Sequence, residues 1–199
     1  MIDAADLLSD PLAQVARWLD EARAAGLELP EAMTLATADA EGRPSARTVL
    51  LKGVDPDGFR FFTNTESRKA GDLAANPHAA LVFHWSLEPR RQATVAGRVE
   101  PLSREESEAY FRTRPLGSRL GAWASHQSTV VPGREALEQA FAQAEAAYGD
   151  DPPLPPWWGG YLLRPARIEL WQNRPNRMHD RFRYRLEADG AWVLERLAP

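Results

Sequence analysis

The first regular pattern along the chain is that of an amphipathic helix over residues 11–25. Apolar residues recur there at steps of three and four, at Leu12, Val15, Leu19 and Ala22. This spacing places them on one face of a helix, where they can pack against a core. Asp10 can cap the helix, Pro11 can occupy its first position, and Gly26 ends the pattern.

From residue 32 onward the period changes from helical to extended. Alternating apolar and β-branched residues predict strands at residues 33–37, 46–54, 59–63, 78–85 and 92–99. Turn signals at residues 39–44 and 55–58 separate the first three strands, which predicts an antiparallel meander. A short helix capped by Ser67 is predicted at residues 67–75.

The second half of the chain mixes helices with further strands. Ser103 and Glu106 have capping-box spacing and open a helix that runs to about residue 112. A second helix is predicted at residues 133–148, and the prolines of residues 150–156 predict a stiff connector. Further strands are predicted at residues 161–163, 168–172, 182–186 and 191–196.

Strands joined mostly by short turns indicate an α+β protein built on an antiparallel sheet. Eight or nine strands in one small unit favour closure into a barrel, because closure removes exposed sheet edges. With 199 residues, the chain is predicted to be a single domain, residues 1–199. Residues 1–10 are predicted to be an N-terminal tail.

Composition narrows the classes of function. Hydrophobic residues make up 44% and charged residues 26% of the chain, as in a typical globular protein. The apolar runs are too short to cross a membrane and the acidic N-terminus is unlike a secretory signal, so we expect a cytoplasmic protein. The absence of cysteine excludes disulfides and thiolate chemistry, and a net charge of −4 argues against a broad nucleic-acid surface.

The first candidate site is Ser67-Arg68-Lys69 at the start of a predicted helix. Lys69 and Lys52 are the only lysines among 24 basic residues, either by chance in an arginine-rich composition or because function retains them. Free backbone N–H groups at a helix start favour an anion, whereas cations are unfavourable there without one. A phosphate site is one hypothesis, and a solvated helix start is the alternative.

The second candidate site is the segment of residues 177–181. Arg177, His179 and Arg181 share one face if this segment is extended, and Trp171 just upstream offers an aromatic surface. Two guanidinium groups beside an imidazole suit an anionic or electron-rich ligand. A polar strand face is the alternative.

Two further sets of residues are weaker candidates. Tyr110 and Arg114 lie four residues apart on one predicted helix face, with Ser118 soon after, and could hold a phosphate; plain surface packing is the alternative. Arg47 and Lys52 lie at the ends of a predicted strand. Their five-residue spacing puts them on opposite faces of a regular strand, so they are not expected to share one ligand through side-chain direction alone.

Other chemistries have little support in the sequence. The histidines lack metal-type spacing, so no metal site is predicted, and no nucleophile elbow, Walker loop or Rossmann fingerprint is present. Anion sites with aromatic surfaces, but without acid/base pairs, indicate a phosphorylated organic cofactor that performs the reaction while the protein positions it.

Together these segments resemble the pyridoxine/pyridoxamine 5′-phosphate oxidase family over about residues 11–199. The matching motifs are Arg47-Thr48-Val49-Leu50-Leu51-Lys52, Phe62-Thr63-Asn64, Ser67-Arg68-Lys69, Arg91-Gln92, residues 114–128, Trp157-Trp158-Gly159-Gly160, Trp171-Gln172, Arg177-Met178-His179-Asp180-Arg181-Phe182 and Arg196-Leu197-Ala198-Pro199. The resemblance implies a flavin-binding split barrel that works as a homodimer, with FMN at the subunit interface.

The resemblance also implies residue roles. It implies an FMN site formed by Arg47, Thr48, Val49, Leu50, Leu51, Lys52, Phe62, Thr63, Arg68, Lys69, Gln92, Gln127, Ser128, Trp171 and Arg181. It implies a substrate site formed by Lys52, Tyr110, Arg114, Ser118, Arg177, Met178 and His179, with Arg177 and His179 catalytic. The implied reaction oxidises pyridoxine or pyridoxamine 5′-phosphate to pyridoxal 5′-phosphate, with O2 reduced to H2O2.

Two features depart from the family pattern. The first helix is predicted only about ten residues after Met1, without the basic, tyrosine-containing segment that closes over the substrate in many members, and Phe62 stands where tyrosine is common. Two other functions are compatible with the same scaffold. One is a split-barrel flavin oxidase that acts on another substrate, such as a phenazine precursor, and the other is a non-catalytic carrier of FMN or pyridoxal phosphate.

Overall fold

The computed structural model describes residues 2–199 and, within them, five α-helices and nine β-strands. The helices are α1 (Pro11–Ala24), α2 (Arg68–Ala75), α3 (Arg104–Thr113), α4 (Leu116–Ala124) and α5 (Arg134–Tyr148). The strands are β1 (Ala32–Ala38), β2 (Pro44–Leu50), β3 (Gly53–Asp55), β4 (Gly58–Asn64), β5 (His78–Trp85), β6 (Arg91–Pro101), β7 (Trp158–Gln172), β8 (Asp180–Leu186) and β9 (Trp192–Arg196). Every described helix is too short or too polar to span a bilayer.

All nine strands belong to one antiparallel sheet that curls on itself. The order is β2-β1-β5-β6-β7-β4-β3, with β8 paired to the second half of β7 and β9 paired to β8. β2 and β3 lie at opposite ends of this order, yet only Leu51 and Lys52 separate them in the chain. The sheet must therefore roll until these two edges meet, which confirms the predicted α+β fold and gives a split antiparallel barrel.

The break between β2 and β3 corrects the prediction of one strand over residues 46–54. At the break, Leu51 N–H donates to Glu31 O at 3.0 Å and Lys52 N–H donates to Arg60 O at 2.8 Å. The backbone thus changes partners between two adjacent residues. A run of β-branched and aliphatic residues fits two consecutive strands as well as one, so the pattern alone could not locate the break.

A further prediction about strands was wrong, and one helix was missed. The strands predicted at residues 161–163 and 168–172 are parts of β7, because a bulge opposite Gly97 accommodates Pro165, which has no N–H to donate. Helix α4 was not predicted. Its sequence contains Gly117 and Gly121 and buries only Leu120, so it has a weak helical signal and depends on its tertiary neighbours.

The main core lies between the curled sheet and α1. The predicted apolar face of α1 is buried there, which confirms it, and Val15, Leu35, Phe59 and Leu163 are completely inaccessible to solvent. Within residues 2–10, the described part of the predicted tail, Ile2 N–H donates to Asp180 Oδ2 at 3.3 Å and Leu8 O accepts from Tyr184 Oη at 2.6 Å, both on β8. Ile2 is part of the core.

A second, smaller cluster packs beneath α3. It consists of Phe111, Leu154 and Trp158, with Phe62 and Tyr110 against its edge. Leu154 comes from the Pro-rich connector of residues 150–156, so this segment contributes a core residue without forming a helix or strand. The cluster matters because it supports one wall of the cavity described below.

We expect Gly97→Ala to destabilise the fold by about 3 kcal/mol, near the top of the usual range for overpacking. A Cβ at Gly97 would lie 1.9 Å from Arg164 O, which is backbone and cannot move aside easily. Gly53→Ala is the matched control, because its Cβ would meet only the Arg60 side chain at an ordinary 3.6 Å. Urea denaturation of the two variants measures the difference. Equal stabilities would contradict the bulge geometry.

Candidate functional site

An open cavity of about 870 Å³ lies between strands β2 and β4 and helices α2, α3 and α4. This volume lies within the range of small-molecule sites. The cavity is lined by these predicted site residues: Arg47, Thr48, Val49, Leu50, Lys52, Phe62, Thr63, Arg68, Lys69, Tyr110, Arg114, Ser118, Gln127 and Ser128. Segments far apart in sequence thus converge on one site.

Arg47 and Lys52 line the same cavity, contrary to the expectation from a regular strand. The alternation of side chains applies within one continuous strand, and β2 ends at Leu50 before Lys52 is reached. The side chain of Leu51, the remaining residue of this motif, is only 3% exposed and packs in the main core.

The start of α2 is one end of the cavity. Ser67 is the N-cap residue, but its side chain does not cap the helix as predicted; its hydroxyl donates to Asn64 O at 2.7 Å. Lys69 Nζ donates to the Ser67 hydroxyl at 2.9 Å, to Thr63 Oγ1 at 3.0 Å and to Gln127 Oε1 at 2.6 Å. All of these acceptors are neutral, so the ammonium group is held without a counter-charge.

Burial lowers the pKa of Lys69 from 10.5 to about 8, with a further lowering from the charge of Arg47. Lys69 is 7% exposed. Desolvation disfavours the ammonium form, and a neighbouring guanidinium repels it. An anion in the cavity would favour the ammonium form and so oppose both effects.

Five cationic side chains line the cavity: Arg47, Lys52, Arg68, Lys69 and Arg114. Among residues 2–199, their only ion-pair partner is Asp72, whose Oδ2 lies 3.7 Å from Arg47 Nη2. Cations that are brought together with so little compensation favour a multiply charged anion. This arrangement supports the phosphate hypothesis over the solvated helix start.

The other end of the cavity is aromatic. Phe62 stacks on Tyr110 with ring centroids 4.1 Å apart and on Trp158 at 5.5 Å. Gly160 lies opposite Phe62 on β7, and a Cβ there would come within 2.6 Å of the Phe62 ring, so only glycine leaves room for the stack. Trp158 had no role assigned from the sequence, although it belongs to a motif of the resemblance.

Arg114 is the most informative group at the aromatic end. Its guanidinium carbon lies 4.8 Å from the centre of the Trp158 ring, and burial lowers its pKa. Within the described residues, its Nη1 atom is buried and has no hydrogen-bond partner. A buried guanidinium donor without an acceptor is costly, and an anionic oxygen in the cavity would satisfy it.

The loop after α4 connects the two ends of the cavity. Gln127 accepts the hydrogen bond from Lys69, and Ser128 Oγ accepts one from Arg68 N–H at 3.3 Å. Ser128 has a φ of 78°, a conformation that is uncommon for residues other than glycine. The backbone strain therefore lies where the loop meets the helix start.

The remaining predicted residues form a separate row on β6, β7 and β8. Gln92 is the cross-strand partner of Trp171, and Trp171 is the partner of Arg181, so the three side chains lie side by side on one face. The His179 ring centroid lies 4.6 Å from that of Trp171. We call Gln92, Trp171, Arg181, His179 and Arg177 the β7 row; exposed Met178 lies in its turn.

The segment before β8 is a turn rather than the extended segment predicted. A 3-10 helix covers Pro175–Arg177, and β8 begins at Asp180. Asn176 and Arg177 have φ values of 59° and 62°, in the left-handed region. Arg177 and His179 therefore do not share a face through strand alternation; a strained turn directs them instead.

The cavity and the β7 row lie at opposite ends of β7. Trp158 borders the cavity and Trp171 belongs to the row, and at about 3.3 Å per residue they are about 40 Å apart along the strand. The predicted site residues therefore occupy two separate regions of one chain.

Comparison with known proteins identifies relatives over the whole chain. The family model described as "Pyridoxamine 5'-phosphate oxidase" matches residues 19–148, and the "Pyridoxine 5'-phosphate oxidase C-terminal dimerisation region" matches residues 158–199. The pyridoxine/pyridoxamine 5'-phosphate oxidase of Cupriavidus pinatubonensis is 58% identical over 198 residues, which cover 100% of this chain and 93% of that protein. That of Ralstonia pickettii is 56% identical with the same coverage.

Two solved structures share the fold. PhzG from Burkholderia lata 383, in complex with tetrahydrophenazine-1-carboxylic acid, superposes with a TM-score of 0.93 at 31% identity and covers 100% of this chain and 98% of that one. A pyridoxamine 5'-phosphate oxidase-related, FMN-binding protein from Nostoc punctiforme has a TM-score of 0.77 at 24% identity, with 96% and 98% covered.

We expect the ligand-free protein to become more stable, relative to a Lys69→Met variant, as the pH rises from about 8 towards 10.5. In this window the unfolded chain binds more protons than the folded one, because the pKa of Lys69 is about 8 in the folded state and rises to its ordinary 10.5 when unfolding returns the ammonium group to water. Urea denaturation at several pH values measures the difference. Lys52→Met, which removes the only other lysine, is the control; a flat difference for Lys69→Met would contradict the assigned pKa.

Proposed function

The chain belongs to the pyridoxine/pyridoxamine 5′-phosphate oxidase family, and on that premise we propose how its residues divide the reaction. The protein is an FMN-dependent enzyme that oxidises pyridoxine or pyridoxamine 5′-phosphate to pyridoxal 5′-phosphate. The observation that carries the residue assignments is the cavity with five cations and one paired carboxylate, because cofactor and substrate each bring a phosphate. We propose O2 as the electron acceptor and H2O2 as its product.

We assign the FMN phosphate to the start of α2. Arg47, Arg68 and Lys69 converge there with the free N–H groups of a helix start. The donor set fits a phosphate dianion, because the three cations can donate to several oxygens and only one of them has a carboxylate partner. The remaining lining of this part of the cavity, assigned to the flavin, is Thr48, Val49, Leu50, Phe62, Thr63, Gln127 and Ser128.

We assign the substrate phosphate to the aromatic end of the same cavity. Tyr110, Arg114 and Ser118 lie there on α3 and α4, and Lys52 extends from the β2–β3 link. The buried Nη1 of Arg114 supplies a donor that lacks an acceptor in the described residues. The Trp158 ring contacts the Arg114 guanidinium from one side, and this contact restricts the conformations of the Arg114 side chain before the ligand binds.

The protein is a homodimer, and we propose that the subunit interface completes each site. The cavity of one protomer would face the β7 row of the other. Two observations support this arrangement: the row is about 40 Å along β7 from the cavity, and its Trp171 and His179 are only partly buried. In a two-fold dimer the same contact occurs twice, so two sites result.

Bound FMN supplies the acceptor for the hydride that leaves the substrate's C4′ carbon. The chain's own contribution is alignment and exclusion of water. Phosphate anchoring at Arg114 fixes one end of the substrate, and Arg177 with His179 from the partner subunit would contact its pyridine ring. Such positioning can remove several kcal/mol from a barrier.

His179 has a defined hydrogen-bonding role in this arrangement. Arg174 N–H donates to His179 Nδ1 at 3.2 Å, so Nδ1 acts as an acceptor and the proton of the neutral ring lies on Nε2. The ring therefore presents an N–H donor, suited to an electron-rich substrate atom. Arg177 is directed by the strained turn that contains Asn176.

The second candidate is an oxidase of a phenazine precursor, favoured by the TM-score of 0.93 with PhzG. The higher identity to the B6-vitamer oxidases, 58% against 31%, favours the phosphorylated vitamer. A non-catalytic carrier of FMN or pyridoxal phosphate is the third candidate function. The two phosphate-binding ends of the cavity match a phosphorylated substrate more directly than an aromatic acid.

Anaerobic titration of the FMN-loaded protein with pyridoxine 5′-phosphate tests the function. We expect the oxidised-flavin band to bleach and to recover when air is admitted, with pyridoxal 5′-phosphate and H2O2 formed. Bleaching by tetrahydrophenazine-1-carboxylic acid alone would favour the second candidate. An oxidised-flavin band that neither candidate substrate bleaches would favour a non-catalytic carrier.

Mixed dimers test the shared site. We expect Arg114→Ala mainly to raise KM, by at least about tenfold, because a charged hydrogen bond to the phosphate is lost. We expect Arg177→Ala mainly to lower kcat, by about a hundredfold, through misalignment. A heterodimer of the two variants, purified through two different tags, has one site with both lesions and one with none. At substrate concentrations well below the wild-type KM it should therefore show about half of the wild-type activity.

If each site came from a single chain, both sites of the heterodimer would carry one lesion, and its activity at the same low substrate concentration would lie between the low activities of the two parent variants. Dimers in which both subunits carry Arg114→Ala, one with each tag, control for effects of tagging and assembly. Unchanged kinetics of both single variants would contradict the assigned roles.

A further inference from the structure

Asp72 is a buried carboxylate beneath the predicted phosphate site, and neither the sequence motifs nor the lining of the cavity includes it. It lies on α2, one turn after Arg68, and is 6% exposed. Its Oδ2 accepts hydrogen bonds from Thr37 Oγ1 at 2.6 Å and from Ser45 Oγ at 2.8 Å. These bonds join α2 to strands β1 and β2.

The same two hydroxyls also hold the guanidinium of Arg47. Arg47 Nη1 donates to Thr37 Oγ1 at 2.7 Å and to Leu35 O at 3.2 Å, and Nη2 donates to Ser45 Oγ at 2.5 Å. The carboxylate and the guanidinium are themselves 3.7 Å apart, so most of their connection runs through the hydroxyls.

The direction of the hydrogen bonds follows from the number of protons. Each hydroxyl has one hydrogen, and both donate it to Asp72, which leaves their lone pairs for Arg47. An ionised Asp72 therefore orients both hydroxyls as acceptors towards the guanidinium. These hydrogen bonds, together with the charges of Arg47 and Arg68, lower the pKa of Asp72 against the effect of its burial, so the carboxylate is ionised at neutral pH.

We propose that Asp72 is a positioning residue for the FMN phosphate, acting through Thr37 and Ser45 to fix Arg47. This inference rests on the proposed phosphate site at the start of α2. Arg47 has five donors, and the network uses those that point into the protein. The remaining donors are then held in one orientation towards the cavity, which reduces the entropy lost when the phosphate binds.

Simple electrostatics predicts the opposite effect of removing this carboxylate. Asp72 is the only carboxylate paired with the five cations within residues 2–199, so its neutralisation raises the positive potential at the cavity. If charge alone mattered, Asp72→Asn would bind FMN more tightly. If positioning dominates, the variant binds FMN more weakly.

The test compares FMN with riboflavin, which has the same ring system without the phosphate. Binding to the full-length, FMN-stripped dimer is measured by the quenching of flavin fluorescence. We expect Asp72→Asn to weaken FMN binding by about tenfold, as for the loss of a charge-assisted hydrogen bond, and to leave riboflavin binding unchanged. In an Arg47→Met background, Asp72→Asn should have no further effect, because the two residues act as one unit.

Asp55→Asn is the matched control, because it removes a carboxylate that pairs with a strand arginine, Arg60, at 2.6 Å outside the cavity. It should change neither affinity. Thr37→Val provides a second variant that does not alter charge; it removes one hydroxyl and should weaken FMN binding in the same direction. If Asp72→Asn does not fold, this variant still decides the question.

Several results would overturn the inference. Unchanged or tighter FMN binding by both variants would show that Arg47 needs no support, and an equal loss of FMN and riboflavin affinity would indicate a general structural role. Failure of the proposed phosphate site is distinguishable from either result, because wild-type protein would then bind FMN no more tightly than riboflavin.

Discussion

Strand β7 is the element on which both halves of the site depend. Fifteen residues long, it pairs with β6 along most of its length, with β4 through its first half and with β8 through its second half. Its first half carries Trp158 and Gly160 beneath the cavity, and its second half carries Trp171 in the β7 row. Because hydrogen-bonded neighbours hold both halves, the two ends cannot fold onto each other within one chain. In the proposed arrangement, a second subunit brings the cavity and the β7 row together.

The cavity stores an electrostatic cost that a ligand can remove. Lys69 is held by three neutral oxygens with its pKa lowered to about 8, and Arg114 has a buried donor without a partner among the described residues. The non-glycine residues with positive φ in residues 2–199 are Ser128, Asn176 and Arg177, and all lie in segments assigned to the site. Backbone strain and unpaired charge thus occur where ligand binding can offset their cost. The apolar core provides enough stability for the fold to contain them.

Most elements were predictable because their periodicity is local. The α1 face, the capping box of Ser103 and Glu106, and the strands β1, β4, β5 and β6 all follow from short patterns. The errors occurred where a long-range contact overrides a local signal. Pro165 predicts the end of a strand, yet a bulge opposite Gly97 lets β7 continue past it. Helix α4 forms although it contains two glycines. Residues 177–181 likewise look like one extended segment in sequence, because their alternating charge is compatible with either conformation, yet Arg177 lies in a turn and β8 begins only at Asp180.

The sequence by itself determined the α+β class and the chemistry available to the site, since residue types and their motifs are independent of distant contacts. It could identify Arg47, Lys52, Arg68, Lys69 and Arg114 as candidate cations. Only the tertiary structure decided that Arg47 and Lys52 face one cavity, that Asp72 lies behind Arg47, and that the β7 row lies apart from the cavity. The physical reason is that periodicity specifies which face of an element a residue occupies, whereas sheet order and strand breaks specify which faces meet.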